Sequence, residues 1–264
     1  MFLAVDVGNT NIVFGVFHNE VLVAFWRVAT YKEQTEDEYW IKLKLLLKEQ
    51  GIELIDLEGA IVASVVPTIT PILEKMLLKY TSIRPLIVGP GIKTGINIKY
   101  DNPKEVGADR IVNAIAAYHK YGGPVIIVDF GTATTFDVIT DKLDYLGGAI
   151  APGIGISTEA LFKNAARLYR VEVKKTENII GKNTGSSMQA GIFYGYVGMV
   201  DEIVRRIKKE IGSERVFVVA TGGLAQLICS ETSQIDAVDM MLTLDGLRLL
   251  YEKNKNTDHN EGKP

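Results

Sequence analysis

A short pattern that occurs twice constrains this chain more than any other feature. An apolar run ends in VDVGNTN at residues 5–11, and a second ends in VDFGTATT at residues 128–135. Each copy has an aspartate, one further apolar residue, a glycine and then small hydroxyl or amide side chains. A single copy matches an ordinary hairpin turn, because short glycine patterns often occur by chance. Two copies at equivalent places predict a duplicated structure.

The elements around the two copies also recur in the same order. Apolar runs at 2–7, 12–17 and 21–29 predict three hairpin-linked strands. A helix follows, with a capping-box pattern at Thr35 and Glu38 and a closing Gly51, and then strand, helix and strand alternate. From Pro124 the same order begins again. We therefore predict an α/β protein whose two similar halves face a central cleft, with boundaries at 1–117 and 118–254 and a polar tail at 255–264.

Each acid-glycine turn has the chemistry of a phosphate site. Gly8 and Gly131 let the backbone approach a ligand closely, and the amides and hydroxyls that follow can donate hydrogen bonds to phosphate oxygens. These hydroxyls belong to Thr10, Thr132, Thr134 and Thr135. A carboxylate repels phosphate, so each preceding aspartate needs a cation. We expect Asp6 to hold Mg²⁺ through water, because Mg²⁺ keeps several waters beside nucleotide phosphates.

A third segment also fits a nucleotide. ATGG, at residues 220–223, follows the apolar run RVFVVA and precedes a helical pattern. Backbone at such a place can lie flat against an adenosine. The chain has no G-x-x-x-x-G-K-[ST] sequence, which excludes a P-loop enzyme, and no G-x-G-x-x-G after its first strand, which counts against a dinucleotide fold.

The composition argues against several other classes of protein. The 264 residues include 29 Lys and Arg against 32 Asp and Glu, so no basic field exists to hold nucleic acid. Cys229 is the single cysteine, which suits a reducing compartment, and its apolar helical surroundings predict a buried structural thiol. The histidines show no metal-ligand spacing; they are His18, His119 and His259. No apolar run approaches the roughly 18 residues of a membrane span, and we expect a cytoplasmic protein without a membrane partner.

Several motifs together resemble one known family. Paired phosphate hairpins and an adenosine loop resemble the superfamily of acetate and sugar kinases, actin and the large heat-shock chaperones, whose two halves are ribonuclease-H-like with an actin-like ATPase duplication. Within it, the chain is similar to the type III pantothenate kinases from residue 2 to about residue 251. The motifs are DVGNTN, ASVVPT, NPKEVGADR, DFGTATT, GGAIAPG, NIIGKNT and TGG. NPKEVGADR is the most specific of these.

The resemblance implies an activity and a set of site residues. The implied activity is ATP-dependent phosphorylation of pantothenate to 4'-phosphopantothenate, the first step of coenzyme A synthesis. The residues implied to bind ATP are Asp6, Val7, Gly8, Asn9, Thr10, Asn11, Ile12, Val13 and Thr132. Those implied to contact pantothenate are Tyr100, Gly107, Ala108, Asp109, Arg110 and Thr184. A monovalent cation, K⁺ or NH₄⁺, is implied at Asp129, and Thr184 is implied to reach the substrate from the neighbouring subunit of a homodimer.

Asp109 is the implied catalytic base, although its residue type leaves an alternative. It lies in the first turn of a predicted helix at 108–121, whose dipole favours an ionised carboxylate. The same position suits an acid that only stabilises the helix. Arg110 fits a substrate carboxylate or the transferring phosphate, and equally a solvated helix charge or an ion pair with Glu105. Tyr100 fits the dimethyl portion of the substrate, or is a plain loop tyrosine.

Other features leave further alternatives open. GKNT, at 181–184, is by its residues a turn and a helix cap. The helix after it has small residues at near-helical spacing, which suit either a homodimer seam or close packing within one subunit. These residues are Ala190, Gly191, Gly195 and Gly198. The nucleotide motifs do not identify the acceptor, so two other functions stay open: a kinase for another small hydroxy or carboxylic acid, and a non-catalytic ATP-binding regulatory protein.

Overall fold

The computed structural model describes residues 1–213 and 215–255, which form two compact units. The first unit comprises Met1–Ile96, Asn102–Ala116 and the described residues from Thr243 onwards. The second comprises Asn97–Asp101 and Ala117–Leu242. Apart from Lys255, the polar tail predicted at 255–264 lies outside the described residues.

Strands and helices have the following bounds. The strands are β1 (Phe2–Val7), β2 (Asn11–His18), β3 (Val21–Ala29), β4 (Gly59–Ser64), β5 (Leu86–Ile87), β6 (Asn97–Ile98), β7 (Val125–Phe130), β8 (Ala133–Ile139), β9 (Asp144–Pro152), β10 (Phe217–Thr221) and β11 (Ala237–Val238). The α-helices are α1 (Glu36–Glu49), α2 (Thr70–Thr81), α3 (Ala108–Tyr121), α4 (Ile154–Asn164), α5 (Thr184–Ile211), α6 (Ala225–Cys229) and α7 (Leu242–Asn254). None of these described helices is both long and apolar enough to cross a membrane.

The sheet of the first unit has the strand order β3-β2-β1-β4-β5. Its central strand, β1, pairs antiparallel with β2 and parallel with β4. Leu3, Val5 and Val7 alternate along β1 and are fully buried in a core shared with α1 and α2. Because β1 is paired on both sides, its register cannot shift without breaking two ladders. The predicted hairpin of three strands is confirmed.

Helix α1 begins and ends where the sequence predicts. The Thr35 hydroxyl accepts a hydrogen bond from the Glu38 N–H at 3.4 Å, and the Glu38 carboxylate accepts one from the Thr35 N–H at 2.8 Å. This is the reciprocal arrangement of a capping box. At the other end Gly51 has a φ of 66°, a conformation that glycine adopts readily.

The sheet of the second unit repeats the first and adds one strand. Its order in the described residues is β11-β10-β7-β8-β9-β6, so β7 is central in the way that β1 is. It pairs antiparallel with β8 and parallel with β10. Ile126 and Val128 of β7 are buried with Phe193 and Val200 of α5. The repeated strand order confirms the predicted duplication. Strands β6 and β11 were not predicted, because each has only two residues, too few for an alternating pattern.

Cys229 is half-buried against the core of the second unit, so it is less buried than predicted. It lies at the end of α6 and is only partly exposed. Burial raises the pKa of this thiol to about 11. The thiolate is the reactive form of cysteine, so Cys229 stays protonated and unreactive near neutral pH.

In the first unit, α7 packs directly against α3. A Cβ added at Gly246 would lie 2.2 Å from the Val112 carbonyl oxygen, so the two backbones are in close contact. One turn earlier, the Thr243 hydroxyl donates to Asn113 Oδ1 at 2.8 Å, and Asn113 is almost fully buried. These contacts fix the helix that carries Asp109 near its N-terminus.

This contact predicts the effect of a single methyl group. Gly246→Ala should lower the free energy of unfolding by about 1–3 kcal/mol, because the added group must displace the backbone of α3. Gly155→Ala is the matched control: Gly155 lies in α4, and no described atom is within 4 Å of its added Cβ. The control should be neutral or stabilising by up to about 1 kcal/mol. Equal unfolding midpoints for the two variants in urea would contradict the close contact.

Candidate functional site

The first glycine turn follows the central strand of the first unit. Asp6 is half-buried and pairs with both β2 and β4. The turn closes through a hydrogen bond from the Gly8 N–H to the Asn11 carbonyl at 2.9 Å. Asn9 and Thr10 are exposed at its tip. The turn thus presents amides and a hydroxyl close in sequence to a carboxylate.

The remaining residues implied to bind ATP in this segment belong to the strands. Val7 and Ile12 are fully buried, and they form the last pair of β1 and β2 before the turn. Val13 is half-buried on β2. In this structure Val7 and Ile12 therefore support the turn from the core.

The second glycine turn repeats the first but is one residue shorter. Asp129 is half-buried near the end of β7 and pairs with both β8 and β10. The Gly131 N–H donates to the Ala133 carbonyl at 3.0 Å. Between the last paired residues, this turn has three residues, 131–133, and the first has four, 8–11. Thr132 is exposed at the tip.

Gly222, in the ATGG segment, lies directly against Asp129. A Cβ added at Gly222 would be 2.5 Å from Asp129 Oδ1 and 2.7 Å from the Phe130 backbone nitrogen. Its φ of +94° is also one that other residues rarely adopt. Parallel pairing of Thr221 with Asp129 brings the two segments together. This position therefore requires glycine, because a side chain would collide with the Asp129 carboxylate, and the sequence did not reveal that role. Contact of ATGG with an adenosine stays a prediction.

Asp109 lies in the first turn of α3, where the sequence predicts it. Its Oδ1 accepts a hydrogen bond from the Arg110 N–H at 2.8 Å. A Cβ added at Gly107 would lie 2.5 Å from the same oxygen, so the glycine provides the space that this carboxylate occupies. The side chain is half-buried, and the helix N-terminus favours its ionised form. An ionised carboxylate is the form that accepts a proton.

A cavity of about 320 Å³ adjoins the start of α3. Gly107 and Ala108, two of the implied substrate contacts, line one side of it. Ser64 and Val65, after β4, line another side together with residues 88–90. Sequence reasoning did not identify this second side, because these segments meet only in the folded chain. The one available signal was the motif ASVVPT, which contains Ser64 and Val65.

Arg110 is buried, with 7% of its surface exposed. The alternative of a solvated helix charge is therefore wrong. The sequence left an ion pair between Arg110 and Glu105 open. Glu105 is exposed and accepts a hydrogen bond from the Asn102 side chain at 2.8 Å. Burial of a guanidinium is costly without specific partners, which indicates a defined structural or binding role for this one.

In the second unit, Tyr100 is held against β9. A Cβ added at Gly147 would be 2.9 Å from the Tyr100 ring, and the ring centroids of Tyr100 and Tyr145 are 6.3 Å apart. Tyr145 is itself fixed, because its buried hydroxyl donates to Asp137 at 2.6 Å. The Thr135 hydroxyl donates to the other oxygen of Asp137 at 3.1 Å. Tyr100 is thus a packed residue and not a free loop side chain.

Thr184 is the first residue of α5 and is exposed. The Ser186 N–H donates to the side chain of Asn183 at 2.8 Å, so the predicted helix cap is confirmed. Three glycines of α5 are exposed, and no described atom outside the helix backbone lies within 4 Å of a Cβ added to any of them. They are Gly191, Gly195 and Gly198. Close packing within one subunit does not account for these glycines, whereas Ala190 is buried.

Comparison with known proteins identifies the family. The family model described as type III pantothenate kinase matches residues 2–206. A type III pantothenate kinase from Geobacillus sp. (strain WCH70) is 59% identical over 254 residues, which cover 96% of this chain and 98% of that protein. Solved structures match as well, among them the following two. A conserved Campylobacter jejuni protein named for the Baf family of transcriptional activators has a TM-score of 0.62 at 19% identity, over 97% of this chain and 100% of that one. Component A of the (R)-2-hydroxyglutaryl-CoA dehydratase from Acidaminococcus fermentans has a TM-score of 0.54 at 12% identity, over 97% and 98%. These two matches show a shared fold alone, whereas the family model and the close relative establish that the chain belongs to the type III pantothenate kinases.

Proposed function

We propose that this protein transfers the terminal phosphoryl group of ATP to the primary hydroxyl of pantothenate, in the cytoplasm, as the first step towards coenzyme A. The chain's family membership supports the reaction. The observation that carries the mechanism is the position of Asp109, at the N-terminus of α3 and next to two residues that line the cavity.

ATP is bound in this proposal by both glycine turns. The exposed tips of the turns provide amides and the hydroxyls of Thr10 and Thr132 as donors for phosphate oxygens. Asp6 fits Mg²⁺, because it is a half-buried carboxylate next to the turn that would hold the phosphates. Such an ion would keep several waters. When bound, Mg²⁺ neutralises charge on the phosphates during transfer.

Asp109 acts as the general base. It accepts the proton of the pantothenate hydroxyl while the oxygen attacks the terminal phosphorus and ADP leaves. Gly107 leaves room for the carboxylate, and the Arg110 N–H fixes one of its oxygens at 2.8 Å. Arg110, Tyr100 and Thr184 orient the acid, so most of the catalysis is positioning and charge stabilisation.

Asp109→Asn tests the base. The amide cannot accept the proton, so kcat should fall by about 10²–10⁴-fold while ATP affinity is kept. Pantothenate-dependent ADP release and calorimetric titration with ATP measure the two quantities. Glu20→Gln is the control, because it neutralises an exposed carboxylate of the first unit, between β2 and β3, that does not line the cavity. The control should stay within roughly threefold of the parent, and the same outcome for Asp109→Asn would remove Asp109 from this role.

Asp129 holds the monovalent cation, K⁺ or NH₄⁺, in this proposal. Its half-buried carboxylate lies beside Gly222, which has no side chain that could exclude an ion. A bound cation offsets the negative charge between this carboxylate and the phosphates.

Replacing Asp129 should therefore remove the response to K⁺. The parent should be more active and should melt at a higher temperature in KCl than in NaCl of equal ionic strength, because a ligand that binds the folded state stabilises it. Asp129→Asn should lose both differences, and Asp141→Asn, an exposed aspartate in the same unit, should keep both. A K⁺ response that survives in Asp129→Asn would place the cation elsewhere.

A homodimer completes the site in this proposal. The exposed glycines of α5 permit close approach of a second helix, and Ile179 and Ile180, 60% and 78% exposed, lie just before this helix. A two-fold seam places the same surface on both subunits, so Thr184 of each subunit can reach the partner's substrate.

Subunit mixing tests this arrangement. Asp109→Asn and Thr184→Arg should each be nearly inactive as homodimers. Heterodimers, isolated through two different affinity tags, contain one site with both residues intact and should recover about half of the parent activity. Light scattering checks that each variant is dimeric. Heterodimers no more active than the average of the two homodimers would contradict shared sites.

The acceptor is tested directly with labelled ATP and a panel of pantothenate, sugars and acetate. Label should transfer to pantothenate and not to the other compounds. Transfer only to another acceptor would favour a kinase for a different small acid or alcohol. Tight ATP binding without transfer to any compound would favour a regulatory protein.

A further inference from the structure

We infer that Thr30 is a positioning residue for the first glycine turn: it holds two carbonyl groups of the turn so that the following N–H groups face away from β3, towards a nucleotide. The inference rests on the proposed role of this turn in ATP binding. Thr30 is not among the residues that the sequence assigned to ATP.

Thr30 directly follows β3 and makes two hydrogen bonds to the turn. Its hydroxyl donates to the Gly8 carbonyl at 2.7 Å. Its N–H donates to the Thr10 carbonyl at 3.0 Å. One residue just beyond β3 therefore fixes two carbonyls of a four-residue turn.

The two hydrogen bonds also determine the direction of the N–H groups that follow the bound carbonyls. In a trans peptide the C=O of one residue and the N–H of the next point in opposite directions. With the Gly8 carbonyl directed at Thr30, the Asn9 N–H points away from Thr30, and the Asn11 N–H does so because the Thr10 carbonyl is bound as well. A carbonyl oxygen facing the ligand would repel phosphate, and both of these carbonyls are bound instead to Thr30.

Thr30 is itself supported from the core. The hydroxyl of Tyr39, on α1, donates to the Tyr31 carbonyl at 2.8 Å and accepts from the Tyr31 N–H at 3.3 Å. Tyr39 is fully buried, and burial raises the pKa of its hydroxyl, which therefore stays protonated. The residue after Thr30 is thus tied to a core helix, so the position of Thr30 is well defined.

The second glycine turn has a counterpart of only one of the two hydrogen bonds that Thr30 makes. Gly153 directly follows β9, as Thr30 follows β3, and its N–H donates to the Thr132 carbonyl at 3.1 Å. It has no side chain, and a Cβ there would lie 2.2 Å from the Thr132 carbonyl oxygen. The backbone bond is therefore common to both turns, whereas the hydroxyl bond is made by Thr30 alone. The hydroxyl bond therefore occurs at the longer of the two turns, which has one more peptide group to orient.

Thr30→Val removes the hydroxyl and keeps the shape of the side chain. The Kd for ATP, and with it the KM for ATP, should rise by about three- to tenfold, the size expected from one hydrogen bond. The KM for pantothenate should stay within roughly twofold of the parent, because the proposal assigns this turn to ATP and the acceptor to residues of α3. Thr30→Ser, which retains the hydroxyl, should restore ATP affinity.

Thr81→Val is the matched control. The Thr81 hydroxyl also donates to a carbonyl at 2.7 Å, that of Leu77, but at the end of α2. A merely structural loss should lower the melting temperature of both variants without a selective change in ATP affinity. An unchanged Kd for ATP in Thr30→Val, equal to that of Thr81→Val, would overturn the inference.

Asp6→Asn, measured in parallel, separates this inference from the proposed function of the turn. If Asp6→Asn weakens ATP binding and Thr30→Val does not, the turn keeps its role and the inference about Thr30 fails. If neither variant changes ATP affinity, the turn is not a phosphate site and both proposals fail.

Discussion

Each half of this molecule depends on a central strand that is paired on both sides and has an aspartate as its second-last residue, next to a glycine turn. Five of the six residues of β1 are buried, so the strand is enclosed on both faces as well as paired along both edges. The hydrophobic core therefore fixes Asp6 through the register of two ladders, and Asp129 is fixed in the same way by β8 and β10. The carboxylates are placed by strand pairing, while the glycines leave room beside them.

The two halves use equivalent positions for different purposes. Asp6 pairs with Ala63 and Asp129 with Thr221, so Ser64 and Gly222 correspond. Gly222 lies against the Asp129 carboxylate, whereas Ser64 lines the cavity at the start of α3. Similarly, a threonine hydroxyl supports the first turn where the second has a glycine backbone. A duplicated backbone can thus carry two different turns, because single side chains decide what each turn presents.

Local features of the fold could be predicted from the sequence, and contacts between distant segments could not. The cap of α1 depends on Thr35 and Glu38, three residues apart, and both glycine turns lie within continuous stretches. The contact of Gly222 with Asp129 exists only because β10 pairs with β7, which no local pattern specifies. The burial of Arg110 could not be predicted either, because its residue type left a solvated charge and a binding role equally open. At the candidate site, the sequence predicted residue types and turns but not the wall of the cavity.

The central claim is that the glycine turns bind the phosphates of ATP. A crystal structure of the protein with a non-hydrolysable ATP analogue and Mg²⁺ tests it most directly. Phosphate oxygens should lie about 2.7–3.2 Å from donor groups of residues 8–11 and of residues 131–133, with Mg²⁺ linked to Asp6 through water. A nucleotide whose phosphates are bound elsewhere, with both turns in contact only with solvent, would contradict it.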